Sequence, residues 1–330
     1  MPGIQRVRFA INETPYCLWD VDIRQRNLDF INSIDPGYFE HIAKLHGSSL
    51  EGDDKQYAAA ALRIAYSHGL ESLFALLCAT VQAPDCVVGW LLNYQNKELF
   101  EVMRKISEWR RVYTKLRTKR VTWDVVADLI FTYTQTGDEE KDNRLRKNFA
   151  RLWGRFASDF LNVNHSYEYN SIKHGLRARM GGFYFAMGDE DVPGVPAPPE
   201  KMRTVVNSAF GSSFFLPERL HDSRNFTIKH QALNWDPQNI IYALLLISMS
   251  ITNVIGFLKI HYGAPAGEVS FSSPSDDEAY AEPWKRKHGL DSMGMGSQIT
   301  ADAITPLSKK EILSVYAEGK EDGGTKEGEA

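Results

Sequence analysis

The sequence predicts a mainly α-helical bundle with a small antiparallel β insert and a partly disordered, acidic C-terminal tail. Three observations lead to this fold class. Long stretches before residue 181 repeat apolar side chains every three or four positions, which is typical of amphipathic helices. The Gly-Gly pair at 181–182 starts a stretch of alternating and proline-rich sequence. Beyond Gly263 the chain is rich in glycine, serine, proline and acidic residues.

The same observations predict how the chain is divided. The predicted ranges are 1–262 for a single helical-bundle domain, about 181–233 for its β insert, and 263–330 for the tail. Within the tail, Ser308 and Glu311 have the spacing of a capping box, which predicts one short helix near 308–317. The residues that follow, 318–330, are expected to be disordered.

The composition is that of a folded protein from a reducing compartment. Hydrophobic residues make up 43% of the 330 residues, which is enough for a sizeable core and excludes wholesale disorder. The three cysteines include no Cys-x-x-Cys pair, so neither a disulfide framework nor a cysteine zinc site is expected. The first residues lack the continuous apolar run of a secretory signal. We therefore expect a cytoplasmic protein.

The net charge of −4 is unevenly distributed along the chain. Residues 104–179 carry 17 basic and 9 acidic side chains, a surplus of +8, whereas the segments on either side are acidic or nearly neutral. A local surplus of this size is typical of a surface that meets an anionic partner. Ordinary solvated helix faces are the alternative interpretation.

Capping and spacing signals predict the helices before the insert. Asp35 followed by Pro36 provides a capping residue and a first helical position. A long helix from Lys55 to Gln82 is stopped by Pro84, and its partner over residues 87–108 completes an antiparallel hairpin. This hairpin is expected to pack against the helices at 138–162 and 237–262. The other predicted helices cover residues 36–46, 122–133 and 166–180.

Short strands are predicted for the insert. Residues 183–187 alternate in the manner of a strand, and the prolines between 193 and 199 make the next stretch a loop. Further short strands are predicted at 202–208, 213–216 and 226–233. Asp236 followed by Pro237 then starts a helix that continues to about residue 262.

The start of that helix is apolar enough to raise a second possibility. The 22 residues from Pro237 to Leu258 carry no charge, and a bilayer span needs about 20 apolar residues. Asn, Ser and Thr interrupt the run, and few Lys or Arg flank it, so orientation in a membrane is not specified. A buried central helix is the prediction, and a membrane span is the alternative.

The segment from 165 to 179 carries the polar side chains that suggest a functional site. On a continuous helix, Asn170, Lys173, His174 and Arg177 follow at i, i+3, i+4 and i+7 and share one face. Histidine exchanges protons near neutral pH, and Lys and Arg hold phosphate. This face suits binding of a phosphodiester, or its cleavage after activation of a 2′-hydroxyl. An amphipathic helix whose His and Asn make structural hydrogen bonds is the alternative.

The residues Asn170-Ser-Ile-Lys-His174-Gly resemble the Asn-x-x-x-His-Gly element of HEPN-like proteins. These are small, often dimeric all-α domains of toxins, antiviral defence systems and RNA-processing factors. The resemblance covers this helix and, loosely, the helical region 55–180. In active HEPN ribonucleases an Arg precedes the His by four to six intervening residues. The corresponding window here holds Tyr167, Glu168 and Tyr169 and no Arg, and Arg177 lies one turn later.

The shared face and the resemblance together assign a role to each residue. His174 is the candidate general base or acid, and Asn170 orients the substrate or the imidazole. Lys173 and Arg177 hold the phosphate. The sequence thus predicts a HEPN-like protein, potentially a homodimer, that binds RNA or a nucleotide. Whether it is a metal-independent ribonuclease of a defence or toxin system is left open.

A second basic segment is a candidate for nucleic-acid binding. Arg117, Lys119 and Arg120 belong to a run of cations, and basic residues interleaved with aromatic ones can bind single-stranded nucleic acid. A solvated linker is the alternative. The aromatic residues that flank the run are Trp109, Tyr113 and Trp123.

No cofactor or metal is expected from the remaining motifs. His165 and Glu168 are three residues apart and could share a metal ion, but the sequence offers no evident third ligand. No P-loop, nucleophile elbow or His-Glu-x-x-His pattern is present. Two further functions stay open. One is a non-enzymatic structural or interaction protein of helical-bundle type, and the other is a membrane-associated protein held by residues 237–258.

Overall fold

The computed structural model describes residues 5–134, 137–174, 177–219, 226–285, 290–299 and 307–321. By its internal contacts the chain divides into two compact units. Unit 1 comprises Met1–Phe214 and Ala232–Met293, and unit 2 comprises Phe215–Gln231 and Gly294–Ala330.

Helices and strands alternate in groups along the chain. The strands are β1 (Gln5–Ile11), β2 (Thr14–Asp20), β3 (Arg111–Thr114), β4 (Arg117–Arg120), β5 (Ala178–Met180), β6 (Tyr184–Met187), β7 (Arg203–Asn207), β8 (Gly211–Arg219), β9 (Phe226–Asn234) and β10 (Ser292–Ile299). The α-helices are α1 (Ile23–Ser33), α2 (Gly37–Gly47), α3 (Lys55–Gln82), α4 (Val87–Leu91), α5 (Asn96–Ser107), α6 (Trp123–Ile130), α7 (Glu139–Phe160), α8 (Val163–Lys173), α9 (Pro237–His261) and α10 (Lys309–Glu321). Short 3-10 helices lie at Pro199–Lys201, Ala266–Glu268 and Glu278–Trp284.

The predicted fold class, a mainly α bundle with one small β insert, is wrong. The chain is 54% helix and 20% strand, and the strands of the described residues form four sheets. β1 pairs with β2, and β3 pairs with β4, in hairpins that lie outside the predicted insert. A four-stranded sheet has the order β10-β9-β8-β5, and β6 pairs with β7. Helices and antiparallel sheets are therefore combined throughout the chain.

The two unexpected hairpins turn on residues with positive φ. Asn12 has a φ of 51° between β1 and β2, and Lys115 and Leu116 have φ values of 47° and 62° between β3 and β4. Two adjacent residues with positive φ are the geometry of a type I′ turn, whose twist suits a two-residue hairpin. Lys and Leu are not turn residues by composition, so the sequence carries no local signal for the second hairpin.

Helices α3 and α9 form the centre of unit 1 and pack against each other. Helix α2 packs on both, which the sequence analysis does not predict. Helices α5 and α7 pack on α3, as the sequence predicts for the helical hairpin and its neighbours. Trp153 of α7 is fully buried, and its indole N–H donates to Ser250 Oγ of α9 at 3.1 Å. The side chains of Thr122, Asp138 and Asp236 each accept a backbone hydrogen bond in the first turn of α6, α7 and α9.

Two helices differ from their predicted extents. The stretch predicted as one helix over residues 87–108 is broken into α4 and α5. The helix predicted over 166–180 is α8, which begins at Val163 and ends at Lys173. After its end, the Arg177 N–H donates to the Ser171 carbonyl at 2.7 Å, and β5 pairs with β8. Strand pairing with a distant segment therefore ends the helix earlier than local periodicity indicates.

By length and composition α3 and α9 could each cross a bilayer. In each helix, 72% of the most apolar 18-residue segment is buried within the structure. Asn253 of α9 is also fully buried, where its side chain donates to the Ser272 carbonyl at 2.8 Å and accepts from the Ser272 N–H at 2.7 Å. This burial and pairing are typical of a central helix in a folded core.

Unit 2 contains β8 from Phe215 onward, β9 up to Gln231, β10 from Gly294 onward and the helix α10. The predicted capping box is present at the start of α10, where the Ser308 N–H donates to Glu311 Oε2 at 2.6 Å and the Glu311 N–H donates to Ser308 Oγ at 3.3 Å. The helix extends to Glu321, four residues beyond its predicted end. The sequence predicts disorder over residues 318–330, which is wrong for 318–321 because they form the last turn of α10. Residues 322–330 lie outside the described residues.

Candidate functional site

The structure does not gather the four residues of the predicted face on one helix. Asn170 and Lys173 lie exposed on α8, but His174 is the C-cap, and its N–H donates to the Asn170 carbonyl at 3.0 Å. Arg177 lies beyond the helix, where its Nε donates to the His174 carbonyl at 3.1 Å. Gly175, the glycine of the HEPN-like element, lies outside the described residues. The shared face therefore ends at the helix terminus.

The exposed side of α8 still borders two grooves, one at Asn170 and one at Lys173. Asn170 lines one of about 510 Å³ together with Phe100 and Tyr167. The Lys173 ammonium lies 5.4 Å from the centre of the Tyr169 ring, a cation–π contact at the surface. The basic residues Arg117, Lys119 and Arg120 are exposed on β4 and are not part of this surface.

The opposite side of α8 carries a buried ion pair. Glu168 is 1% exposed and Arg63 of α3 is 5% exposed. The Arg63 guanidinium donates twice to Glu168 Oε2, from Nη2 at 2.5 Å and from Nε at 2.9 Å. The arginine also lies over the rings of Tyr66 and Trp235, at 5.6 and 5.9 Å from their centres. A charge buried this deeply is tolerated because its partner and its hydrogen bonds replace water.

The second carboxylate oxygen of Glu168 is also occupied. Ser212 Oγ donates to Oε1 at 2.5 Å, and the Trp235 indole N–H donates to the same oxygen at 3.0 Å. Ser212 reaches this position because β8 runs close to its neighbours at Gly211, where a Cβ would lie 2.2 Å from the Leu233 carbonyl oxygen. With both oxygens accepting, Glu168 has a structural role and does not share a metal ion with His165. Among the residues that the structure describes, no group of three possible metal ligands is present.

The electrostatics follow from this pairing. Burial opposes ionisation of Glu168, but the charge of Arg63 and the hydrogen bonds from Arg63 and Ser212 outweigh it and lower the pKa of Glu168 below its usual value. Burial likewise opposes the charge on Arg63, and Glu168 raises the pKa of the guanidinium above its usual value. Both groups are therefore ionised at neutral pH.

A second polar cluster adjoins the ion pair and is centred on Asp159 of α7. Its Oδ2 accepts from the Tyr66 hydroxyl at 2.6 Å and from the Trp284 indole N–H at 3.0 Å. Burial and the nearby Asp159 carboxylate raise the pKa of Tyr66 well above its usual value, so the hydroxyl keeps its proton and donates it. The Asp159 backbone carbonyl lies 3.2 Å from Nδ1 of His165.

That last contact sets the tautomer of His165. A carbonyl oxygen only accepts hydrogen bonds, so Nδ1 carries the proton and Nε2 of the neutral ring has a free lone pair. Burial and the positive charge of Arg63 lower the pKa of His165 below its usual value, despite the opposing effect of Asp159. The imidazole is therefore neutral at pH 7 and able to accept a proton at Nε2.

These two clusters border a cleft of about 620 Å³ in unit 1, which we call the inner cleft. Its volume lies in the range typical of small-molecule sites. Its walls combine aromatic rings, three cations, three aspartates, asparagines and the imidazole of His165. The side chains of most interest are Arg63, Tyr66, Arg155, Asp159, Asn164, His165, Trp235, Asn239, Trp284 and Lys285.

The sequence analysis missed most of the inner cleft. Arg63 did carry a signal, because it is the one Lys or Arg within the apolar stretch from 56 to 82, where an unpaired charge is costly. Asp159, Trp235 and Trp284 carried none, since they come from segments far apart in the chain. Comparison with protein-family models, with curated proteins and with solved structures gives no match for this chain.

Proposed function

We propose that this protein binds a nucleotide, or one nucleotide unit of an RNA, in the inner cleft. The observation that carries the proposal is the combination of indole rings, exposed cations and a neutral imidazole around one cavity of suitable size. Each group matches a different part of a nucleotide. The proposal keeps the ligand class that the sequence predicts and moves it from the exposed side of α8 to the buried side.

The aromatic and amide groups suit a nucleobase. Trp235 and Trp284 are half-buried, so each indole is partly held by the protein and partly open to a ligand. Flat rings of this kind stack on any base. Asn164 and Asn239 line the same cleft, and an amide side chain offers both a donor and an acceptor to the edge of a base.

The cations suit a phosphate. Arg155 is exposed, and its guanidinium lies 5.4 Å from the centre of the Trp284 ring. A phosphate bound beside Trp284 is therefore within reach of a planar, bidentate donor. Lys285 is also exposed at the cleft and pairs with Glu282. Arg63 contributes less, because Glu168 already neutralises it.

His165 supports a second, catalytic function for the same site. Its Nε2 is unprotonated at neutral pH, which is the state required of a general base that removes the proton of a 2′-hydroxyl. The alkoxide so formed attacks the adjacent phosphorus, and the 5′-oxygen leaves and takes up a proton from water. We infer that RNA cleavage at this site depends on His165 and needs no metal ion.

Binding is tested by isothermal titration with AMP and with adenosine. Arg155→Gln is expected to weaken AMP binding by at least about tenfold, since one charge-assisted hydrogen bond contributes roughly 1.5–3 kcal/mol, and to leave adenosine binding unchanged. Arg151→Gln is the matched control, because Arg151 is exposed one turn earlier on α7 and does not line the cleft. No binding of either ligand at millimolar concentration, or equal losses in both variants, overturns the proposal.

Cleavage is tested separately with single-stranded RNA in the presence of EDTA. His165→Asn keeps a donor for the Asp159 carbonyl but removes the base, so any cleavage by the wild-type protein is expected to be lost. His174→Ala is the control that the sequence resemblance provides. Loss of cleavage in His174→Ala and retention in His165→Asn would return the activity to the exposed side of α8.

A further inference from the structure

A second cleft of unit 1 has a composition unlike that of the inner cleft. It lies between the end of α3, the β3–β4 hairpin and α6, and its volume is about 520 Å³. We call it the outer cleft. Cationic side chains border it on the hairpin side, and aliphatic side chains from α3 and α6 line its interior.

The cations of the outer cleft are exposed and largely unneutralised. Lys115 pairs with Asp85 at 2.9 Å. Arg117, Lys119 and Arg120 are all exposed, and no residue in the described part of the chain forms an ion pair with them. Three like charges held on a four-residue strand repel one another. An anion that binds these cations therefore also reduces their mutual repulsion.

The interior of the outer cleft is aliphatic. Val81, Val121 and Val126 form its base and are nearly inaccessible to water, whereas Val125 of α6 is 46% exposed at its edge. The aromatic residues near the basic run do not contribute. Trp123 is buried beside Phe74, and among the residues described here neither Trp109 nor Tyr113 lines the cleft.

We propose that the outer cleft binds an amphipathic anion of low molecular weight, namely an aliphatic carboxylate. The carboxylate lies against Arg117, Lys119 and Arg120, and the alkyl chain covers the exposed edge at Val125 and Leu129. Nucleic acid, which the sequence predicts as the partner of these three cations, fits less well. Its bases find no aromatic ring in this cleft to stack on, and its phosphates leave the aliphatic lining uncovered. This site is independent of the nucleotide proposed for the inner cleft.

A chain-length series tests the proposal with the wild-type protein alone. Hexanoate, octanoate and decanoate are titrated by calorimetry below their micelle concentrations, with decanol and inorganic phosphate as controls. Each additional methylene that is buried strengthens binding about fourfold, so octanoate is expected to bind roughly fifteenfold more tightly than hexanoate. Decanol lacks the charge and phosphate lacks the chain, so both are expected to bind far more weakly than decanoate.

Variants then locate the site. Arg117→Gln with Lys119→Gln and Arg120→Gln is expected to weaken decanoate binding by at least tenfold. The matched control changes three exposed lysines elsewhere, Lys44, Lys55 and Lys97, to Gln and is expected to retain binding. Val125→Asp places a charge that repels the carboxylate at the mouth of the cleft, so it is expected to weaken decanoate binding. An acidic residue in the first turn of α6 is compatible with the helix dipole, so the variant is expected to fold.

Two results overturn the proposal. One is an affinity that does not depend on chain length, which would leave only attraction between charges. The other is binding of a single-stranded RNA that is lost in the triple variant, falls steeply as salt increases, and is unaffected by Val125→Asp while decanoate does not bind. That combination would assign the hairpin to nucleic acid, as the sequence analysis predicts.

Discussion

The two sides of helix α8 carry similar kinds of polar residue in opposite surroundings. On one side Asn170, Lys173 and His174 are exposed to water. On the other, Glu168 is 1% exposed and accepts hydrogen bonds from Arg63, Ser212 and Trp235. The exposed side holds the residues that resemble a known motif, and the buried side holds the network that borders the inner cleft. Residue type and spacing identify the helix, but burial separates a structural role from a role in ligand binding.

The difference has consequences for substitutions. Removing a member of the buried network leaves its partners without hydrogen bonds in a medium that cannot replace them, so stability falls. When an exposed side chain is removed, water takes its place at little cost in free energy. A substitution there therefore changes stability little, whatever it does to function. Measurements of stability and of function on variants of one helix therefore distinguish the two sides.

The largest expected effect follows from Arg63→Met. This change keeps most of the side-chain volume and leaves the ionised Glu168 buried without a countercharge, which typically costs about 3–5 kcal/mol. Urea denaturation monitored by circular dichroism measures the loss. Lys173→Met is the control on the exposed side and is expected to change the free energy of unfolding by less than about 0.5 kcal/mol. Similar losses in both variants would contradict the distinction between the two sides.

A smaller loss is expected for Ser212→Ala. The carboxylate of Glu168 loses one donor but keeps Arg63 and Trp235, so the expected cost is about 1.5–3 kcal/mol, the usual range for a hydrogen bond to a charged group. Ser213→Ala is the matched control, because this neighbour on β8 is half-buried and points away from Glu168. A stability of Ser212→Ala equal to that of the control would show that the short contact to Glu168 contributes nothing.

The sequence predicts the long helices of unit 1 better than it predicts the end of α8. Helices α3, α7 and α9 are predictable because caps, proline positions and periodicity are local, and their signals agree with the packing. The end of α8 is not predictable in this way, because β5 leaves the helix to pair with β8. The prediction that Arg177 shares a face with His174 fails for this reason.

The residues of the inner cleft are not predictable from the sequence either, but for a different physical reason. These residues are brought together by packing of segments that are far apart in the chain; Asp159 and Trp284, for example, are separated by 125 positions. Charge and aromatic content along the chain do not reveal such contacts. The one local signal is Arg63 in an apolar helix, which implies a buried acidic partner but does not identify Glu168.

A pH dependence provides a third, more modest test of the buried side. The pKa of His165 is lower in the folded protein than in the unfolded chain, because burial and Arg63 disfavour the charged ring. As pH falls below about 6.5, the unfolded chain takes up a proton that the folded state does not, so this contribution to stability is lost toward acid. The charged groups that face the ring are Arg63, Asp159 and Glu168. The pKa of Arg63 is raised and that of Glu168 is lowered, so both of these groups keep their charge between pH 7.5 and 5.5. Urea titrations at these two values should show a smaller pH-dependent loss in His165→Asn than in the wild type, and equal losses would contradict the assignment of a neutral, half-buried imidazole.

The smallest expected effect on stability belongs to His174→Ala, and it is the most informative about function. The hydrogen bonds of His174 that define the end of α8 run from its backbone N–H and to its backbone carbonyl, and alanine keeps both. The melting temperature should therefore change by no more than about 1–2 °C, which corresponds to less than about 0.5 kcal/mol in a domain of this size. If the inner cleft is the functional site, AMP binding and any RNA cleavage should also be unchanged, while Arg155→Gln and His165→Asn impair them. If instead His174→Ala abolishes RNA cleavage at an unchanged melting temperature, the exposed side of α8 is the active site, and the resemblance to HEPN-like proteins describes the chemistry better than the inner cleft does.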